Sequence, residues 1–211
     1  MTTDSLAKLT QAVEAASSSE ALLTAVEAVA AVKAPEAVTL LVAALGYNNP
    51  GVAVAAVDGL IAIGEPAVEP LLVLLDDVNY GARAWAIRAL AGIGDPRGLS
   101  VLLTAAKDDF ALSVRRAAAR GLGTIVWEAM PPESRSSAQL DCLTVLLAAA
   151  KGDPEWVVRY AAVSGLQNLG RSLCLTQPHQ RLDLKIQLQD LAAQEATPAV
   201  QARLWFALES L

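Results

Sequence analysis

The chain has 211 residues and a net charge of −6, and 54% of its residues are apolar while only 4% are aromatic. This acidic balance argues against a nucleic-acid partner, and no apolar run reaches the roughly 18–20 residues that span a bilayer. One histidine and two cysteines provide neither a metal site nor a disulfide framework, and Met1–Ser5 do not resemble the start of a signal peptide. We therefore expect a cytoplasmic protein that does not act at a membrane and has no metal or cofactor.

An internal repeat organises the chain. Residues 51–66 align with residues 81–96, thirty positions apart. A period of 20–50 residues is typical of a solenoid, in which each unit buries its apolar face only against its neighbours. Residues 114–122 parallel residues 158–166 in the same way, so the repeat continues into the second half.

Prolines and glycines divide each repeat into an antiparallel pair of helices, A and then B. Pro35, Pro66 and Pro96 occupy positions that open a helix, and Gly64 and Gly94 occupy positions where a helix needs a left-handed stop. Apolar residues recur at helical spacing between these marks. In chain order, the predicted A helices lie near 5–17, 36–46, 66–76, 97–108, 138–151 and 180–195, and the predicted B helices near 20–33, 51–63, 82–93, 112–126, 156–169 and 199–210.

The predicted fold class is all-α, as a single domain over residues 1–211. It is an α-solenoid, a right-handed α-α superhelix of about six helix pairs, which the resemblance given below implies are HEAT-like. One segment interrupts the rhythm: residues 127–137 are rich in turn formers and are predicted to be a loop insertion. Insertions in solenoids lie on one face, so this loop is either functional or a tolerated surface feature.

Three blocks of sequence resemble a known family. They are residues 46–60, with Tyr-Asn-Asn-Pro-Gly; residues 79–98, with Asn-Tyr-Gly-Ala-Arg-Ala-Trp; and residues 109–123. These blocks are similar to the F subunits of CpcE/CpcF-type phycocyanobilin lyases, which belong to the HEAT-like repeat phycobilin lyases. The similarity covers roughly residues 20–175.

The resemblance implies an enzyme of the carbon-sulfur lyase class that works as a heterodimer with an E-type subunit. The pair would attach phycocyanobilin, the substrate rather than a cofactor, through a thioether to a cysteine of the phycocyanin α subunit. Family members that also isomerise the bilin carry an adjacent His-Cys motif. Here His179 is not adjacent to either Cys142 or Cys174, which favours attachment alone. The alternative is a non-enzymatic HEAT-repeat adaptor or chaperone for phycobiliprotein assembly or turnover.

The B helices contain side chains suited to a bilin. Arginine binds a propionate through a planar fork of donors, tyrosine and tryptophan pack on flat rings, and a carboxylate accepts hydrogen bonds from pyrrole N–H groups. We assign the catalytic role to Asp58. The candidate bilin-binding residues are Tyr80, Arg83, Trp85, Arg88, Arg115 and Arg120.

Structural roles compete with several of these assignments. Arg83, Arg115 and Arg159 share one position in the repeat, where an arginine often pairs with an acid of the neighbouring repeat. Asp58 and Arg88 would neutralise each other if they were close, and Trp85 would equally suit the core.

The A-to-B turns carry candidate partner contacts. These are Tyr47, Asn48, Asn49 and Asn79, although asparagine is also an ordinary turn former.

Near the end of the chain, Trp205 and Phe206 either dock on the E-type subunit or pack on the preceding helix. Cys142 and Cys174 are predicted to be buried or incidental thiols, with a transient bilin carrier as the alternative.

Overall fold

A computed structural model describes residues 3–75 and 79–211, without the side chains of residues 3–5 and 174–176. The described residues form twelve α-helices, joined by turns and one-turn 3-10 helices, and no strand. They fall into two compact units, Met1–Ile93 and Gly94–Leu211. The predicted α-solenoid of six helix pairs is thus confirmed, whereas the single domain over 1–211 stays a prediction.

The first unit contains three helix pairs. One-turn 3-10 helices at Pro35–Ala37 and Glu65–Ala67 lead into the second and third A helices, as the prolines predicted. The helices are α1 (Thr3–Glu14), α2 (Ser19–Val32), α3 (Val38–Ala44), α4 (Pro50–Ile63), α5 (Val68–Leu74) and α6 (Tyr80–Ile93).

Small residues bring the B helices α2, α4 and α6 close together in the first unit. A Cβ added to Gly59 of α4 would lie 2.7 Å from Cβ of Ala30 on α2, and one on Gly92 of α6 would lie 2.3 Å from Cδ1 of Ile61 on α4. Fully buried leucines of A and B helices, such as Leu41, fill the space behind them. Equivalent positions of successive B helices therefore lie side by side.

The second unit also contains three helix pairs. A one-turn 3-10 helix at Pro96–Gly98 leads into its first A helix, and another lies at Trp127–Ala129. The helices are α7 (Leu99–Asp108), α8 (Leu112–Leu122), α9 (Pro132–Gly152), α10 (Trp156–Thr176), α11 (Pro178–Gln194) and α12 (Pro198–Ser210).

Glycines permit tight turns and close helix contacts at a few points. Gly64 and Gly94 have φ of 79° and 74°, which confirms the predicted left-handed stops. Lys33 also has a positive φ, 53°, where it ends α2 in the left-handed α conformation, and the sequence did not signal this. In the second unit, a Cβ on Gly165 of α10 would lie 2.5 Å from the carbonyl oxygen of Ala119 on α8. Only glycine allows this approach.

The predicted loop insertion over residues 127–137 is partly wrong. Pro131 and Pro132 start α9 rather than prolonging the loop, because a proline in the first turn lacks only an N–H that the helix does not use. Arg135, on that first turn, donates to the carbonyl oxygens of Met130 (2.8 Å) and Glu128 (3.1 Å) and so orders the preceding residues. In addition, α10 continues to Thr176, seven residues beyond its predicted end at 169.

Candidate functional site

An open groove of about 680 Å³ lies between the B helices α2 and α4 of the first unit, and we call it the α2–α4 groove. Its lining is mostly apolar and small, because alanine and glycine predominate where the two helices meet. Asp58 and Glu27 lie one repeat apart at equivalent positions, and both line the groove with exposed side chains. Sequence reasoning selected Asp58 and missed Glu27, although the repeat alignment places the two carboxylates in one row.

The next B helix, α6, presents a paired ring and cation. The guanidinium carbon of Arg88 lies 5.4 Å from the centre of the Trp85 ring, within the range of a cation–π contact. Trp85 is half-buried and packs on the core of the first unit, while Arg88 is exposed. Within the described part of the chain no ion pair joins Asp58 to Arg88, so the two residues do not neutralise each other by direct contact.

Helical geometry separates the other predicted residues of α6 from this pair. Arg83 is exposed and Tyr80 half-buried, both on the first turn. At 3.6 residues per turn, Arg83 lies on nearly the opposite side of the helix from Trp85. The first unit therefore brings Trp85 and Arg88 together on α6, beside the helix that carries Asp58, and leaves Arg83 outside this group.

Arg115 does not have the role predicted for it. Its Nε lies 2.7 Å from Oδ2 of Asp153 and its Nη2 lies 3.1 Å from Oδ1, while Nη1 donates to the carbonyl oxygens of Asp109 and Phe110. The Arg115 and Asp153 side chains are only 13% and 7% exposed. This guanidinium is committed to holding α8 against the α9–α10 turn, so the structural alternative is the one that the geometry supports.

Arg159 repeats this arrangement one helix pair later. It forms a two-pronged ion pair with Glu195, with N–O distances of 2.9 and 3.0 Å, and donates to Oγ1 of Thr197 and to the carbonyl oxygen of Asp153. The hydrogen bonds from Arg159 lower the pKa of Glu195 to about 2, against the opposing effect of burial. In the second unit, the repeat position shared by Arg115 and Arg159 thus holds an arginine that pairs with an acid of the next repeat and stabilises the fold.

Arg120 lies on the exposed face of α8, in the second unit. No hydrogen bond or ion pair holds its guanidinium among the residues that the structure describes. It therefore remains available for a ligand, unlike Arg115.

Two of the residues predicted to contact a partner, Asn49 and Asn79, act as helix caps, and their partner contacts stay predictions. Oδ1 of Asn49 accepts from the N–H groups of Gly51 (3.1 Å) and Val52 (3.2 Å), and Oδ1 of Asn79 accepts from the N–H of Ala82 (3.2 Å). Asparagine is favoured at this position because its side chain satisfies N–H groups that the first turn leaves free.

The neighbouring Tyr47 and Asn48 are exposed in the turn before α4. Their predicted partner contacts stay predictions.

Cys142 is a buried thiol, as predicted. Burial, together with the charge of Asp141, raises its pKa to about 12, so it is neither ionised nor accessible near neutral pH. The side chain of Cys174 lies outside the described residues.

The described residues include no cluster of histidine, cysteine, aspartate or glutamate side chains that could hold a metal ion. Among them, no helix combines the length and the apolar character needed to cross a membrane.

Comparison with known proteins places the chain in a family. The HEAT-repeat family matches residues 6–80 and 68–167. The phycocyanobilin lyase subunit beta of Pseudanabaena tenuis is 52% identical over 209 residues, which is 99% of this chain and 74% of that protein. The phycocyanin alpha phycocyanobilin lyase CpcF of Synechocystis is 49% identical over 99% of this chain and 95% of the relative. The chain belongs to the CpcF family of phycocyanobilin lyase subunits.

Solved structures agree with membership of the CpcF family. A chain in the complex of CpcE and CpcF of phycocyanin lyase from Nostoc matches with a TM-score of 0.72 and 45% identity, over 82% of this chain and 98% of that chain. A designed armadillo repeat protein matches with a TM-score of 0.51 and 17% identity, which shows the fold alone.

Proposed function

We propose that this chain is the F-type subunit of a heterodimeric bilin lyase, which attaches phycocyanobilin by a thioether bond to a cysteine of the phycocyanin α subunit. The observation that carries the proposal is the 49% identity to a phycocyanin alpha phycocyanobilin lyase, CpcF, over nearly the whole of both chains. The E-type partner follows from the likeness to a chain of the CpcE and CpcF complex. The reaction takes place in the cytoplasm, with the bilin as substrate and no further cofactor.

The first unit offers a site for the reacting part of the bilin. The α2–α4 groove is open and apolar, which suits a long conjugated molecule, and its carboxylates accept hydrogen bonds from pyrrole N–H groups. Asp58 is the residue that we assign to these N–H groups, where its negative charge favours the protonated, more electrophilic bilin. The neighbouring helix α6 supplies a ring, Trp85, and a cation, Arg88, that contact each other.

The chemical step is an addition that neither gains nor loses electrons overall. The thiolate sulfur of the acceptor cysteine forms a bond to the exocyclic carbon of the bilin's ethylidene group, and the π bond of that group breaks. The proton that left the thiol is returned to the neighbouring ring carbon. A carboxylate that stabilises the protonated ring system lowers the barrier because positive charge on the bilin draws the electron pair away from the carbon under attack.

Reconstitution tests the proposed function. The chain is co-expressed with an E-type subunit, the enzymes that make phycocyanobilin and the phycocyanin α subunit, and covalent pigment is read from the zinc-enhanced fluorescence of denatured α subunit. We expect attachment with the chain present and none when it is omitted. Attachment at the full rate without the chain would refute the lyase assignment and favour the adaptor or chaperone alternative.

A further inference from the structure

Charge is distributed unevenly over the second unit. Although the whole chain has a net charge of −6, every acidic or basic side chain on the B helices α8, α10 and α12 is an arginine, with the single exception of Glu209. The A helices of the same unit carry both signs and contain lysine. The B-helix side of this unit is therefore cationic within an acidic protein, and the cations are of the planar, fork-shaped kind.

Among the described residues, three of these arginines are exposed and form no hydrogen bond or ion pair: Arg116 and Arg120 on α8, and Arg171 on α10. Arg116 and Arg120 lie one turn apart on the same face of α8. Their neighbour Arg115 contrasts with them, because its guanidinium is bound to Asp153. The scaffold contact thus uses one arginine of the Val-Arg-Arg sequence and leaves the next one free.

A platform of aromatic rings lies on the following B helices. Tyr160 of α10 and Phe206 of α12 are 40% and 59% exposed, and the guanidinium carbon of Arg203 lies 5.9 Å and 5.2 Å from their ring centres. Nε of Arg203 donates to Oγ of Ser164 at 2.8 Å, and its Nη2 donates to Oε1 of Gln167. These bonds hold the cation in place against both rings, so the platform is preorganised.

The close packing of α8 and α10 makes the arginine pair and the platform neighbours. Gly165 allows α10 to approach the backbone of α8 at Ala119. The repeat alignment of residues 114–122 with 158–166 puts Arg116 at the position equivalent to Tyr160, and Arg120 at that of Ser164. The two exposed cations therefore border the rings along one continuous face.

We propose that this face, formed by Arg116, Arg120, Tyr160, Arg203 and Phe206, binds the carboxylate side chains of the linear tetrapyrrole. Arg116 and Arg120 hold two propionates from adjacent pyrrole rings, and Tyr160 and Phe206 pack against the conjugated surface beside them. This inference rests on the proposed function, because it takes the bilin as the ligand. It defines a carboxylate-specific subsite that lies wholly within the second unit and does not use Arg115.

The chemistry of the face favours such a ligand. A carboxylate on a flat, conjugated molecule needs both a forked donor and a ring surface, and this face provides the two side by side. Two guanidinium groups one helical turn apart are spaced for two carboxylates on adjacent rings, which a linear tetrapyrrole carries.

The test compares phycocyanobilin with its dimethyl ester, in which both propionates are neutral. The complex of the full chain with its E-type subunit is titrated with each pigment, and binding is followed by visible absorbance. The wild-type complex should prefer the free acid. We expect Arg116→Gln/Arg120→Gln to weaken binding of the free acid by about tenfold or more and to leave the ester unchanged, so that the preference disappears.

Two further variants serve as controls. Lys107→Gln/Lys151→Gln removes the same charge from exposed positions on A helices of the same unit, and it should keep the wild-type preference. Phe206→Ala should weaken binding of the free acid and of the dimethyl ester alike, because the ring contact does not depend on charge. A double arginine variant that still prefers the free acid to the wild-type extent would overturn the proposal.

The outcome also separates this inference from the proposed function. If the wild-type complex prefers the free acid but attaches no pigment to the phycocyanin α subunit, the lyase assignment fails and the carboxylate subsite stands. If the double arginine variant binds both pigments normally but no longer retains the α subunit on co-purification, the face docks a protein and the bilin assignment is wrong.

Discussion

Arg115 and Asp153 form a two-pronged ion pair, with Nε–Oδ2 and Nη2–Oδ1 distances of 2.7 and 3.1 Å, although 38 positions separate them in the sequence. Burial alone would raise the pKa of Asp153, but the hydrogen bonds from Arg115 and from the N–H of Glu155 outweigh it, and the pKa is lowered. The hydrogen bonds that Arg115 donates to Asp153 raise the pKa of Arg115. The pair joins successive repeats of the second unit, and Arg159 with Glu195 repeats the arrangement.

Replacing Arg115 should therefore affect folding more than ligand binding. We expect Arg115→Gln to lower the free energy of unfolding by about 2–4 kcal/mol, because it leaves the Asp153 carboxylate largely buried without its cation. The adjacent Arg116→Gln should change it by less than about 0.5 kcal/mol, since Arg116 is exposed. Urea denaturation of both variants measures the difference, and equal effects would show that the ion pair is not a scaffold contact.

Glu195 should make stability depend on acid pH. Its pKa is about 2 in the folded protein against an ordinary value of 4.5, so its contribution is present above pH 4.5 and is lost as the pH falls towards 2. Compared with wild type, Glu195→Gln should be less stable at pH 7 by up to about 3 kcal/mol, and this gap should close near pH 2. Denaturation of both proteins at a series of pH values measures this difference in stability. A difference that stays constant with pH would contradict the prediction.

Gly165 should not tolerate a larger residue. A Cβ at this position would lie 2.5 Å from the carbonyl oxygen of Ala119 and 3.0 Å from Leu146, so Gly165→Ala must push α8 and α10 apart. We expect a loss of about 2–3 kcal/mol. Gly152→Ala is the matched control, because a Cβ there has nothing within 4 Å, and thermal unfolding should show it close to wild type.

Asp58 and Arg88 should affect the reaction without affecting the fold, since both side chains are exposed. We expect Asp58→Asn to slow covalent attachment by about 10²-fold, the lower end of the usual contribution of a proton-handling carboxylate. Arg88→Leu should lower the visible absorbance of co-purified pigment because it removes the cation beside Trp85. Circular dichroism verifies folding, and unchanged attachment and pigment retention would exclude these residues from the site.

Cys142 should not take part in chemistry. Its thiol is fully buried and burial raises its pKa to about 12, so it cannot form a transient bond to the bilin. We expect Cys142→Ala to attach pigment at the wild-type rate once a modest loss of stability is allowed for. A loss of attachment in a variant that remains folded at the assay temperature would revive the carrier alternative.

Sequence reasoning succeeded where a local rule decides the outcome. Gly64 and Gly94 adopt the predicted left-handed conformation because a side chain there is penalised whatever the surroundings. It failed where two local rules compete: Pro131 and Pro132 suggest a turn, yet the same residues also suit the first turn of α9. Asn49 and Asn79 are compatible with a cap or a partner contact, and only the positions of the following N–H groups show that both act as caps.

The amino-acid sequence alone determined the repeat, the alternation of A and B helices and the likeness to the CpcF family, because periodic apolar residues and helix-ending residues act over a few positions. Only the tertiary structure decided which arginines are free. Arg115 and Arg116 are identical neighbours in the sequence, but one side chain meets a carboxylate 38 positions away while the other faces solvent. This difference follows from how the repeats stack, since an ion pair forms only where packing brings its two ends together.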